Sequence, residues 1–140
     1  MKSPDDIRRL EQLAKQAPRN VKAWIDLGNS LTNTSRFSEA VDAYQKALAL
    51  DLKNLDVRVD MGISYRGLRK PEKAMKKYRK AIKINSNHVN AHRNMAMVYT
   101  SDLHEKQKAI KKFEKYLELA PNASDTSQIR QTVIDLKALK

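Results

Sequence analysis

The chain has no cysteine, so disulfides and thiolate metal sites are excluded and the redox compartment stays open. Only three glycines and four prolines interrupt its 140 residues, too few turn formers for a succession of short strands. No apolar run approaches the ~20 residues that cross a bilayer, and the opening "MKSPDDIRRL" lacks the apolar core of a signal peptide. As given, the chain reads as cytoplasmic; a periplasmic place follows if an N-terminal anchor has been removed. There is no glycine-rich phosphate loop, since Gly28 and Gly62 stand singly within helical patterns. His88 and His92 are four apart, but no carboxylate completes a metal set with them, and His104 is a turn residue. Neither an enzyme, a metal site nor a cofactor is expected.

What the chain does have is Ala, Leu, Lys, Asp and Glu, with 41% hydrophobic and 31% charged residues, a mixture that favours helices. Lys and Arg number 28 against 16 acids, for a net charge of +12. Such an excess invites nucleic acid, anionic lipid or acidic protein partners, and its placement decides among them.

A period of 34 residues organises the sequence. "AWIDLGNSL" (Ala23–Leu31) returns as "VRVDMGISY" (Val57–Tyr65) and as "AHRNMAMVY" (Ala91–Tyr99). Trp24, Arg58 and His92 share one position; Leu27, Met61 and Met95 share another; Gly28, Gly62 and Ala96 share a small one. Downstream, "FSEAVDAYQKALAL" aligns with "PEKAMKKYRKAIKI" and, after one extra residue in the preceding turn, with "KQKAIKKFEKYLEL". Those copies place Ala40, Ala74 and Ala109 together, then Tyr44, Tyr78 and Phe113, then Ala47, Ala81 and Tyr116. Two helical patterns per unit predict a stacked helix-turn-helix array. A glycine inside a helix costs roughly 1 kcal/mol, which close approach of an aromatic ring from the partner helix offsets, because burying a large side chain is worth about 1.5–3 kcal/mol. Trp24 then reads as a packing residue.

The ends read as covers. "SPDDIRRLEQLAKQAPRN" offers a cap at Ser3, Pro4 at the first helical position and Asp6 three residues after the cap. Its Ile7, Leu10, Leu13, Ala14 and Ala17 would cover the first repeat. At the other end Asp125 and Gln128 are placed for a capping box, followed by Ile129, Val133, Leu136 and Ala138 or Leu139 facing inward. The expectation is an all-α chain of eight helices: an N-terminal half-repeat (3–19), repeats over 21–54, 55–88 and 89–122, and a C-terminal capping helix (123–140).

The large-Leu-Gly-large pattern of each first helix and the Ala-aromatic-Ala pattern of each second helix resemble the tetratricopeptide repeat family. Pro18 and Pro121 stand where that family often closes a repeat; Leu52, Ser86 and Tyr116 depart from its pattern. The stretches "AWIDLGNSL", "MGISYRGLRKPEKAMKKYRKAI" and "SQIRQTVIDLK" are similar to bacterial members, among them periplasmic, membrane-anchored proteins of cytochrome c assembly. The resemblance implies a right-handed superhelical solenoid whose first helices line a concave groove that holds a partner peptide or helix. Its groove positions here would be Ile25, Asp26 and Asn29, with Lys22, Thr32 and Asn33; Asp56, Val59, Asp60, Ile63 and Arg66, with Gly67; and Asn90, Arg93, Asn94 and Met97, with Thr100 and Ser101. Asp26, Asp60 and Asn94 would form a ladder able to accept backbone N–H groups of an extended peptide. Members that clamp the C-terminal carboxylate of Hsp70 or Hsp90 use two lysines, two asparagines and an arginine. Those positions hold Ile25, Asn29, Asp60, Asn90 and Asn94 here, so that ligand is rejected.

The alternative reading is a peripheral module docking on an anionic surface (membrane, nucleic acid or acidic protein) through its lysine-rich convex face. "RKPEKAMKKYRKAIK" (Arg69–Lys83) carries eight basic residues and one acid, Glu72, and Lys106, Lys108, Lys111, Lys112 and Lys115 continue the trend. No exposed aromatic interleaves with these lysines as a stacking platform for bases, since Tyr78 falls at a core position. Self-association through an apolar strip containing Ile63 and Met97 is a third route.

Overall fold

A computed structural model describes residues 4–139, with side chains from Asp6 to Leu139; the expected cap at Ser3 and its pairing with Asp6 lie outside the described residues. The described residues form eight α-helices and no strand: α1 (Pro4–Gln16), α2 (Val21–Asn33), α3 (Phe37–Leu50), α4 (Leu55–Gly67), α5 (Pro71–Ile84), α6 (Val89–Ser101), α7 (Lys106–Leu119) and α8 (Thr126–Ala138). The chain divides into two compact units, Met1–Lys77 and Tyr78–Lys140, with the division falling within α5.

Three local devices recur with the sequence period. Each first helix is capped by a side chain that accepts a backbone N–H three residues on: Asn20 from Ala23 at 3.3 Å, Asn54 from Val57 at 3.1 Å and His88, through Nδ1, from Ala91 at 3.2 Å. Each turn from a first to a second helix passes through a left-handed residue, Ser35 and Arg69 at φ 61° and His104 at φ 54°, none of them glycine. The turn before α7 carries the one extra residue read from the sequence, 102–105 against 34–36 and 68–70. The third device holds the start of each first helix. Trp24 Nε1 donates to the Pro18 carbonyl at 2.9 Å, an Arg58 terminal nitrogen to the Leu52 carbonyl at 3.0 Å, and His92 Nε2 to the Ser86 carbonyl at 2.7 Å. Three chemically unlike side chains thus bind the carbonyl six residues back.

In the first unit, α1 packs on α2, α2 on α3, and α3 on α4. Ile7, Leu10 and Ala14 of α1, Trp24, Leu27 and Leu31 of α2, Val41, Tyr44 and Leu48 of α3, and Val57 and Met61 of α4 belong to one buried core. Leu13 lies 48% exposed, because Ile7, Leu10 and Ala14 already complete the inward stripe and Leu13 falls beside it. Ala17 lies beyond the helix end and is also exposed. In the second unit α6 packs on α7 and α7 on α8, burying Met95, Val98, Ile110, Phe113, Ile129, Val133 and Leu136. Ala138 and Leu139 do not turn inward: the helix stops at Ala138, and Leu139, extended at ψ 138°, leaves its side chain 59% exposed.

The small positions do what the repeat demands. Ala40, Ala47, Ala74, Ala81, Ala96 and Ala109 are wholly buried, as is the Tyr78 ring. A Cβ on Gly28 would lie 2.5 Å from Tyr44 Cε1, so this ring occupies the volume that glycine leaves free. Gly67, expected on the groove, is a second such contact: a Cβ there would lie 2.6 Å from Phe37 Cδ1, Cε1 and Cζ.

Candidate functional site

Tyr44 passes over Gly28 and brings its hydroxyl to the next residues of α2. There it donates to Asn29 Oδ1 at 2.6 Å and lies 3.3 Å from the Thr32 hydroxyl. Thr32 Oγ1 in turn donates to the Gly28 carbonyl at 2.9 Å, lies 3.0 Å from Ser64 Oγ on α4, and Ser64 donates to the Asp60 carbonyl at 3.2 Å. Burial first, and the negative charge of Asp60 with it, push the Tyr44 phenol up to about 12, against the pull of its Thr32 contact; the ring is neutral at any physiological pH. This network floors a cleft of about 330 Å³ between α2 and α4, lined by Asn29, Thr32, Asn33, Tyr44, Asp60 and Ile63. It offers carboxylate and amide oxygens beside one half-exposed aliphatic, Ile63, a composition suited to peptide backbone and a short side chain.

The structure thus brings Asn29, Asp60 and Ile63 together with Thr32 and Asn33. Asp26 is not in that lining; its carboxylate pairs with Lys22 across one helical turn at 2.8 Å. Asp56 is exposed in the first turn of α4 and Arg66 half-buried in its last. The position shared by Ile25, Val59 and Arg93 faces the chain itself. Ile25 packs on the core, Val59 is only 3% exposed, and Arg93 Nε binds Asp125 Oδ2 at 2.7 Å. Val59 is therefore a packing residue rather than a docking one. A first helix flanked by its own partner and by neighbouring repeats leaves only a narrow stripe for a ligand. In the second unit Asn94 donates to the Asn90 carbonyl at 2.8 Å, Asn90 is exposed and Met97 half-buried.

Asp125 departs from its expected capping role. It makes no side-chain cap bond for α8 and instead accepts from the Tyr116 hydroxyl at 2.5 Å and from Arg93. Those two donors, Tyr116 first, hold its carboxyl below the ordinary range, and the same contact pushes the Tyr116 phenol up. The aromatic at Tyr116, where the repeat pattern wants a small residue, has its hydroxyl engaged in tying α7 to the start of α8.

A second cleft in the first unit, about 220 Å³, is lined by Trp24, Leu27, Leu31 and Ala43 with Glu11, Lys15, Glu39, Asp42 and Lys46 at its rim. Lys46 Nζ sits 4.5 Å over the Trp24 ring, and Trp24 keeps its packing role at 8% exposure. Among the described residues no three His, Cys, Asp or Glu side chains gather as a metal site, and no helix is long and apolar enough to cross a membrane.

Residues 21–54 match one model of the tetratricopeptide repeat and residues 55–88 match another. No curated protein matches the sequence. Among solved structures, a crystal structure of MamA protein is similar with a TM-score of 0.77 and 23% identity over 96% of this chain and 73% of that one. TTC0263, a thermophilic TPR protein of Thermus thermophilus, gives 0.81 and 16% over 97% and 73%. The first TPR of Spaghetti (RPAP3), bound to the HSP90 peptide SRMEEVD, gives 0.74 and 22% over 85% and 94%. At such identities the likeness speaks to fold. The described residues form an all-α helical-repeat fold, and residues 21–88 match the tetratricopeptide repeat, whose members commonly mediate protein–protein interaction.

Proposed function

We propose that this chain is a non-catalytic adaptor that holds an extended or helical segment of a partner protein against its first helices. The observation that carries this reading is the α2/α4 cleft, where Asn29, Asp60 and Ile63 converge around the Tyr44 hydroxyl. Oxygen acceptors at its wall suit the N–H groups of a peptide backbone, and Ile63, 36% exposed, offers an apolar contact. Asp26, Asp56 and Arg66 are proposed as further contacts in the first unit, and Asn90, Arg93, Asn94 and Met97 as contacts of the second unit. For Arg93 that role is secondary to its bond with Asp125.

The partner is not proposed to be an acidic C-terminal tail of the kind seen with the Spaghetti domain. The five positions of that clamp hold Ile25, Asn29, Asp60, Asn90 and Asn94, with no lysine or arginine among them; the Asp60 carboxylate would repel a carboxylate, and Asn29 is already bonded to Tyr44. A setting among bacterial cytochrome c assembly proteins rests on the sequence stretches that resemble them and is proposed on that basis alone.

Selection of a displayed peptide library on the wild-type protein, repeated on D26A/D60A/N94A, tests the reading. The expected result is loss of the selected binders with an unchanged far-UV circular dichroism melt. Full affinity in the triple variant overturns the groove assignment. A peptide ending in MEEVD is expected to show no saturable binding.

A further inference from the structure

The basic excess is concentrated on surfaces that the groove does not use. In the second unit, Arg79, Lys80 and Lys83 of α5 and Lys111 of α7 are exposed, and Lys112 is half-buried between like charges. The glutamates of α7 and of the turn before it are already taken: Glu105 by Lys108 at 3.2 Å, Glu114 by Lys137 at 3.4 Å, and Glu118 by Lys115 at 3.6 Å. No ion pair is left for Arg79, Lys111 or Lys112 among the described residues. Burial, and then the fields of Lys111, Arg79 and Lys115, hold the Lys112 ammonium below its ordinary value. In the first unit the repeat-equivalent Lys77 is lowered in the same way by burial, Arg58 and Lys76. Like charges gathered without counter-ions cost folding energy, and a ligand that carries several negative charges recovers it.

Two features separate the classes of polyanion. The aromatics of α5 and α7, namely Tyr78, Phe113 and Tyr116, are all buried, so bases would find no ring to stack on. Ile84, by contrast, ends α5 with 51% of its surface exposed, one helical turn beyond Lys80 and on its side of the helix. Lysines bordering an exposed aliphatic match the headgroup and acyl boundary of a bilayer. We propose that Arg79, Lys80, Lys83, Lys111 and Lys112, with Ile84 as a shallow apolar anchor, form a docking surface for an anionic lipid membrane.

Co-sedimentation with vesicles tests this, using pure phosphatidylcholine against equal parts phosphatidylcholine and phosphatidylglycerol. The expected result is binding to the anionic vesicles only, lost at about 0.5 M salt. K80E/K83E/K111E should bind more than about tenfold more weakly while retaining the wild-type thermal melt. Ile84→Ser should weaken vesicle binding severalfold and leave any binding to a short DNA duplex unchanged. Equal binding to neutral vesicles, undiminished binding by the triple variant, or tighter binding to the duplex than to the vesicles at the same salt each overturn the assignment.

Discussion

The Tyr44 hydroxyl donates a 2.6 Å hydrogen bond to Asn29 of α2, and it reaches there because Gly28, the preceding residue, lacks a side chain. One glycine therefore serves two ends: it lets α3 pack tightly on α2, and it delivers a phenol to the floor of the candidate peptide cleft.

Gly28→Ala should destabilise the protein although alanine is the better helix former. The new Cβ would lie 2.5 Å from a ring that is 1% exposed and has no room to retreat. Overpacking costs about 1–3 kcal/mol against roughly 1 kcal/mol of helix gain, so a net loss of up to about 2 kcal/mol is expected in urea melts. Gly67→Ala makes an informative control. Its clash is with Phe37, a half-buried residue at the start of α3, which can swing outward, so its cost should be smaller.

Ser35→Gly, Arg69→Gly and His104→Gly should each stabilise. All three residues hold left-handed φ values of 54° to 61°, a conformation that costs a side-chain-bearing residue roughly 1 kcal/mol and glycine almost nothing. Part of the relief is returned to the unfolded chain as entropy, leaving about 0.5 kcal/mol per site. The sites are separate turns, so the triple variant should show a near-additive rise in Tm.

Asp125→Ala should loosen α8. It removes the acceptor of both the Tyr116 hydroxyl and the Arg93 guanidinium, a loss of about 1–2 kcal/mol, kept toward the low end because the pair is partly solvated. The expected signature is faster amide exchange across Thr126–Ala138 with α2 and α3 unaffected. Because the native carboxyl titrates below its ordinary value of 3.8, its contribution is present above that pH and is lost as acid protonates the native group. Asp125→Ala should remove that acid-side step.

The fold was legible because its determinants are periodic. A small residue facing an aromatic, seen as Gly28 and Tyr44, recurs at fixed spacing, and so do the buried alanines. The site was legible only in outline. Asn29, Asp60 and Ile63 line one cleft, at positions that only the family resemblance assigned to a groove, but Val59 and Arg93 sit at a position whose exposure depends on which neighbour packs beside it, and one helix's periodicity carries no such information. Asp125 has the spacing of a capping box, yet a tyrosine and an arginine from other helices compete for its carboxylate and win, a choice made by tertiary distance. The left-handed turns were invisible for another reason: glycine, the usual marker of that conformation, is absent from all three. The bonds from Trp24, Arg58 and His92 to the carbonyl six residues back could have been suspected, since all three side chains carry an N–H at one shared position.

His92 makes the second unit acid-sensitive. Its imidazole is 4% exposed, donates through Nε2 to the Ser86 carbonyl and leaves Nδ1 buried without a partner. Burial first, then Lys112 and Lys115 from α7 and His88 from the start of its own helix, press its pKa below the ordinary 6.5, with the Ser86 bond opposing them. A base held neutral in the native state and free to protonate when unfolded contributes no penalty above that value. As pH falls below 6.5 the unfolded state alone gains a proton, so stability declines until the native imidazole also titrates. His92→Gln keeps an N–H donor for Ser86 and cannot be protonated, and His88→Asn beside it removes the other imidazole of this helix start while preserving a cap. Thermal melts of wild type should fall as pH is lowered from 7 to about 5, whereas the double variant should hold level across that range. A parallel decline in both proteins would place the acid sensitivity on some other group.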